Sequence, residues 1–181
     1  MKGLILTEFV EFAETRLQAS LPAVAYRANR SYPSEELLSL VVRAGQDAGL
    51  SSGAVLVTFG RYLFARFTAL YPVFFVDVRS AVDLLGKIDT HVHDEVRWLH
   101  PDADFPRFDV ERSGPDRLTL VYRSRRPLAD LAEGLIRGCI AHFGDRVALE
   151  RHDTPGDAGR EARFVLSPED APPPGNERSA F

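Results

Sequence analysis

Apolar residues recur at helical spacing through the first hundred positions of this 181-residue chain, and at alternate positions through much of the rest. Positions 4–17 form an amphipathic pattern. Positions 34–49 open with the serine of YPSEEL, a helix N-cap with Glu36 close behind, and close at Gly49. A third helix is predicted from the serine pair at 51–52 to residue 70, and Pro72 sits where it must stop or turn. A fourth, longer helix is predicted over about 78–99, ended by Pro101.

The period then changes. FPRFDVERSGPDRLTLVYRS alternates apolar and polar residues around a GPD turn, which predicts a hairpin. PLADLAEGLIRGCIAHF returns to helical period, with Pro127 suited to a first helical turn. RVALERHD and EARFVLS, joined by TPGDAGR, predict a second hairpin. The remaining residues, counted as a tail over 167–181, are polar and Pro-rich and read as disordered. Helices first, then a mostly antiparallel sheet with one helix packed on it, define an α+β fold in one domain over 1–166.

Composition changes this picture only by exclusion. With 45% hydrophobic and 27% charged residues the chain reads as an ordinary globular protein, and a net charge of −4 argues against a nucleic-acid binder. The single cysteine, Cys139, rules out an internal disulfide framework and fits a reducing cytoplasm. Its apolar setting, GLIRGCIAHF, predicts a small buried residue rather than a redox sensor. Glu8, Glu11 and Glu14 interrupt any signal-peptide layout at the N-terminus. Arg61, Arg66 and Asp77 break the most hydrophobic stretch, 54–78, so no membrane span is predicted.

Two short stretches carry candidate chemistry. HVHDEVRWLH places His91, His93 and His100 on the predicted long helix. The 91/93 spacing does not put two histidines on one helical face, and no CxxC or HExxH is present, so a zinc site is disfavoured. A single axial histidine is another matter, because haem iron needs only one protein ligand on its proximal side. The apolar stripe Leu85, Ile88, Val92, Val96 and Leu99 leaves His91 and His93 on opposite flanks, and periodicity does not choose between them. Surface histidines on an amphipathic helix would account for the same residues, as would solvated charges for Asp89, Asp94 and Glu95.

The second stretch is YRSRR at 122–126. If it is a strand end, Tyr122, Ser124 and Arg126 face one side together. Three donors in a row need an acceptor, and the two propionates of a haem would supply one, with the arginine clasping a carboxylate and the hydroxyls completing the set.

The order of these pieces resembles the H-NOX (haem nitric oxide/oxygen binding) family, which includes the haem domain of soluble guanylate cyclase. The resemblance runs from the opening MKGLI to about Leu166. It is carried by FGRYLFARFTALYP, by a helix histidine followed thirteen residues later by the proline of FPRF, and by the intact Y-x-S-x-R of 122–126. It implies haem b (iron protoporphyrin IX) held between the helical part and the sheet, and His93 as proximal ligand. It also implies that Pro106 presses on the haem, and that Tyr122, Ser124 and Arg126 hold its propionates. Ile5, Phe67, Leu131 and Leu135 map to the distal wall. Oxygen-binding members place a tyrosine where this chain has Leu131, so the resemblance implies a sensor that binds NO and CO and excludes O₂. Output would follow breakage of the His93–iron bond, through a separate histidine kinase or cyclic-di-GMP enzyme, with no turnover in this chain. Leu63 and Phe9 depart from an asparagine and a tryptophan found in some members. The alternatives are a haem-free protein-interaction domain of the same fold and, without support from any acid–base pair, a hydrolase or peroxidase-like enzyme.

Overall fold

The computed structural model describes residues 1–93, 105–156 and 159–169, with backbone only for 91–93. Three helices come first: α1 (Gly3–Arg16), α2 (Ser34–Ala48) and α3 (Ser52–Leu70). Gly49 ends α2 with φ 67°, the left-handed conformation that glycine adopts without a Cβ penalty. Ser51 caps α3, its hydroxyl accepting the Ala54 amide at 3.2 Å. The start of α2 differs from expectation. Pro33, held extended at φ −57° and ψ 147°, takes the cap position, so Ser34 is the first helical residue and makes no cap bond.

Pro72 ends α3, and Pro72–Phe75 make a single 3₁₀ turn. The predicted long helix does not form as one piece. The chain makes a five-residue helix α4 (Ala81–Leu85), a turn at Gly86 and Lys87, and then a π-helical turn over Ile88–His93. Gly86, a weak helix former, still donates its amide to the Val82 carbonyl at 3.0 Å, an acceptor it shares with Arg112 Nη2 at 3.2 Å. His100 and the stop at Pro101 lie outside the described residues, as do Asp94, Glu95, Val96 and Leu99 of the predicted helix.

Two hairpins build one antiparallel sheet from β1 (Arg107–Gly114), β2 (Arg117–Arg123), β3 (Val147–Asp153) and β4 (Glu161–Pro168), in the order β1-β2-β4-β3. Helix α5 (Ala129–Phe143) connects the hairpins. Pro127 falls two residues ahead of it rather than in its first turn, because Leu128 is the flanking residue. Strand β4 continues through Pro168, paired with Val147, two residues into the stretch expected to be tail. Residues 170–181 lie outside the described residues.

The buried side chains form two clusters with α5 between them. Leu128 and Leu131 face a helical cluster that contains Leu6, Phe9, Phe12, Leu37, Phe59 and Leu63. Ala129, Ala132, Ile136 and Cys139 face a sheet cluster that contains Leu120, Tyr122, Phe164 and all the apolar side chains of α4. That is the split an i, i+3, i+4 pattern produces on two sides of one helix. Helices α3 and α5 cross where Gly60 meets the second helix: a Cβ on Gly60 would lie 2.6 Å from the Leu131 carbonyl oxygen. No described helix is long and apolar enough to cross a membrane.

Candidate functional site

Tyr122 is the point from which the site is built. It lies inward on β2, opposite Phe108 of β1, with the two rings edge to face at 5.5 Å and the tyrosine only 2% exposed. Strand β2 ends at Arg123, so Ser124 and Arg126 are not in extended chain, and the alternate-residue argument stops at Tyr122. A tight bend brings the three together instead. The Arg126 amide donates to Ser124 Oγ at 3.1 Å, and the Tyr122 hydroxyl donates to the Arg126 carbonyl at 3.5 Å. The Leu128 amide donates to the same carbonyl at 2.9 Å, and Ser124 N donates to Arg160 O at 2.8 Å, tying the bend to the start of β4. Burial raises the Tyr122 phenol above its usual pKa, and a bond from Ser124 and the Arg126 charge offset only part of that rise.

Pro106 is half-buried and directly precedes β1. Two residues on, the Phe108 amide donates to Asp89 Oδ2 at 2.9 Å. Asp89 belongs to the Ile88–His93 turn, so this bond sets the Pro106 segment against the turn that carries His93 in its backbone. The side chains of His91 and His93 lie outside the described residues. Ile88 packs on the same sheet cluster as Tyr122 and Phe108.

Ile5 of α1, Phe67 of α3, and Leu131 and Leu135 of α5 all pack in or against the helical cluster, and Leu135 touches the sheet cluster as well. Three helices far apart in sequence thus contribute apolar side chains to one cluster. Glu8, one turn beyond Ile5, is 5% exposed and is clasped by Arg66 through bonds of 2.7 and 3.2 Å, which fixes α1 to α3 beside Phe67. Sequence reasoning missed this pair. The signal was present, a glutamate among buried apolar positions of α1, but it was read only as an interruption. Leu63 and Phe9 are both buried in the helical cluster.

The donor set fits a haem. The Tyr122 and Ser124 hydroxyls and the Arg126 side chain, whose charge acts on the Tyr122 phenol, are donor types that suit carboxylates, and apolar residues from three helices suit a flat apolar ring. Among the described residues no group of histidine, cysteine and carboxylate side chains could hold a bare metal ion.

A helical subdomain packed through α5 on a four-stranded antiparallel sheet, with a hydrogen-bonded bend at the end of β2, is the architecture of a family of ligand-sensing domains. The chain belongs to the haem-NO-binding (HNOB, or H-NOX) family, whose profile matches residues 7–151. Members of this family are haem-based gas-sensor domains. An Fe(II) unliganded H-NOX protein from K. algicida is 26% identical, with 92% of this chain and 95% of that chain covered at a TM-score of 0.82. An H-NOX from Shewanella woodyi, bound to IWP-051 in the Fe(II)CO state, is 29% identical, with 98% and 99% covered at 0.77. An H-NOX protein from S. oneidensis in the Fe(II)NO state shares the fold at 21% identity, with 92% and 98% covered and a TM-score of 0.82. No curated protein matches the chain.

Proposed function

We propose that this chain is a ferrous-haem sensor that takes NO and CO, excludes O₂, and passes the signal to a separate effector protein. The observation that supports it most is the bend that gathers Tyr122, Ser124 and Arg126 at the end of β2, with Tyr122 in the buried cluster against which Ile88 of the His93 turn packs. The solved structures that carry CO or NO are relatives of the same fold.

His93 would hold the iron, and Tyr122, Ser124 and Arg126 the propionates. Pro106 would press on the ring, and Ile5, Phe67, Leu131 and Leu135 would form its distal wall. The sequence has one cysteine, Cys139, which is buried, so a haem b held without thioether bonds is the form it can take. When bound, the haem supplies an open iron position for a diatomic gas. The chain supplies the selectivity: none of the four wall side chains carries a hydrogen-bond donor, which disfavours O₂ relative to gases that need no such partner. His93 would supply the output, as the residue joining the haem to the Ile88–His93 turn. We infer a binding module without turnover, with residues 1–166 as the sensor domain and its last strand running on to Pro168, working in the cytoplasm beside a histidine kinase or a cyclic-di-GMP enzyme.

The test is the absorption spectrum of reduced, haem-reconstituted protein under argon, in air and with NO. A five-coordinate ferrous spectrum that survives brief exposure to air, and shifts to a five-coordinate nitrosyl with NO, is the expected result. A stable oxygenated species would overturn the selectivity. Absence of stoichiometric haem uptake would make the chain a haem-free interaction domain. His93→Ala should lose haem unless imidazole is added; retention without imidazole would remove His93 from the ligand role.

A further inference from the structure

Helices α1 and α3 meet through two kinds of contact. Phe9 sets its ring edge-on to Phe59 at 5.0 Å, and Phe12 lies 5.4 Å from Phe59 and 5.3 Å from Tyr62. One residue earlier on α1 the contact turns polar. Arg66 donates from Nε and Nη2 to the two oxygens of Glu8, at 2.7 and 3.2 Å, and the Tyr62 hydroxyl donates to Oε2 at 3.5 Å. Glu8 is buried, while the Arg66 side chain is partly open to solvent. These contacts step backward along α1 as they step forward along α3, so the two helices cross antiparallel. Ile5 lies one turn before Glu8 and Phe67 directly follows Arg66, which puts both at the same end of the crossing, one step beyond the clasp. The first amides of α1 are held elsewhere: Gly3 N donates to Arg30 O at 2.7 Å and Leu4 N to Ala28 O at 3.1 Å, in the loop before α2.

Taking a carboxylate out of water costs free energy that such a clasp roughly returns, so a well-packed apolar pair would be about as stable. Apolar side chains do not supply its geometry, because a two-pronged guanidinium–carboxylate bond accepts a narrow range of distance and plane. We propose that Glu8 and Arg66 are positioning residues for the gas pocket: their clasp sets how far Ile5 on α1 stands from Phe67 on α3, and so how firmly the distal wall holds a bound diatomic gas. The inference rests on the reading of Ile5 and Phe67 as part of that wall.

The haem-loaded, CO-bound full chain tests it, wild type against Glu8→Leu with Arg66→Met, a pair that removes the clasp and leaves no lone buried charge. This double variant should unfold at close to the wild-type denaturant concentration. Its C–O stretching band should shift, and CO should leave about threefold faster or more, a size typical of side chains coupled through a shared cavity. Arg66→Lys keeps the charge and loses the fork, so it should move band and rate in the same direction, and it carries the test if the double variant folds poorly. A wild-type band and rate in these variants would overturn the positioning role. Ile5→Ala adds a second check. It should speed CO release by itself, and Arg66→Lys should then add less than it does in the wild type. Full additivity would show that the clasp acts elsewhere, and overturn the proposal. Absorption spectra separate the two failures. A chain that takes up no haem or no CO sinks the sensor reading and this proposal with it, whereas a CO-bound chain indifferent to the clasp sinks the proposal alone.

Discussion

Two residues carry measurable consequences by their surroundings alone. The Tyr122 phenol titrates above its usual range because it is buried. A group whose folded pKa is raised contributes stability that is complete below the unfolded value, about 10 for tyrosine, and that fades as pH rises through the folded value. Wild-type protein should therefore lose stability above about pH 10 in a way that Tyr122→Phe does not. Phenolate absorption at 295 nm should show one late-ionising tyrosine fewer in that variant, and equal alkaline denaturation curves would contradict the assignment. Leu131, at 8% exposure, is the position where a hydroxyl would change gas selectivity on our reading. Leu131→Tyr should give an oxygenated spectrum that persists in air, while costing about 1–3 kcal/mol from overpacking. An unchanged response to air would mean that Leu131 does not face the bound gas.

At the scale of elements, the molecule depends on how α5 meets its neighbours. Against α3 the contact is backbone to backbone: a Cβ on Gly134 would collide with the Val57 carbonyl oxygen and lie 2.9 Å from Gly60 Cα. Gly134→Ala should destabilise by about 3 kcal/mol or more, since neither helix backbone can yield locally. Thermal unfolding checks this, and a shift of less than a degree or two would show that the crossing is loose. Against β3 the contact is ionic. Arg151, with a side chain 17% exposed, reaches Asp130 at 2.6 Å, Glu133 at 3.0 Å and Asp153 at 2.7 Å. Burial works against the guanidinium's charge, and the bonds from these carboxylates outweigh it, so its pKa is raised. Arg151→Met would leave three carboxylates facing one another. Because the cluster is only partly buried, the cost should be about 2 kcal/mol, between the values typical of surface and of buried pairs. Chemical denaturation should recover part of that loss at pH 4, where carboxylates begin to protonate.

For the whole molecule, the family match over residues 7–151 stops within β3, while the sheet requires β4 as its third strand in spatial order. A chain cut after residue 169 should take up haem as the full chain does, because Glu169 N still donates to Arg146 O and β4 is complete. A chain cut after residue 153 should fail to fold, since β2 would lose its pairing with β4. Circular dichroism and haem titration of the two truncations distinguish these outcomes.

Much of this was legible in the order of residues. Periodicity located α1, α3, both hairpins and α5 to within a residue or two, because an amphipathic element must show its buried face at its own repeat. Ser51 and Gly49 acted at α3 and α2 as their chemistry dictates. The Y-x-S-x-R pattern and the histidine-to-proline spacing were enough to recognise the family. The tertiary structure alone decided three things. It ended α4 at Gly86, a weak helix former, and tied that short helix to β1 and to the loop after α5 through Arg112 and Asp145, 26 and 59 positions further along the chain than Gly86. It replaced the expected strand face at Tyr122, Ser124 and Arg126 with a bend, because hydrogen bonds within the bend and to Arg160 outweigh extension. It also buried Glu8 beside Arg66, a pairing across 58 positions. Local repeat fixes which residues share a face; which distant charge reaches a given backbone group depends on packing, and no local pattern encodes it.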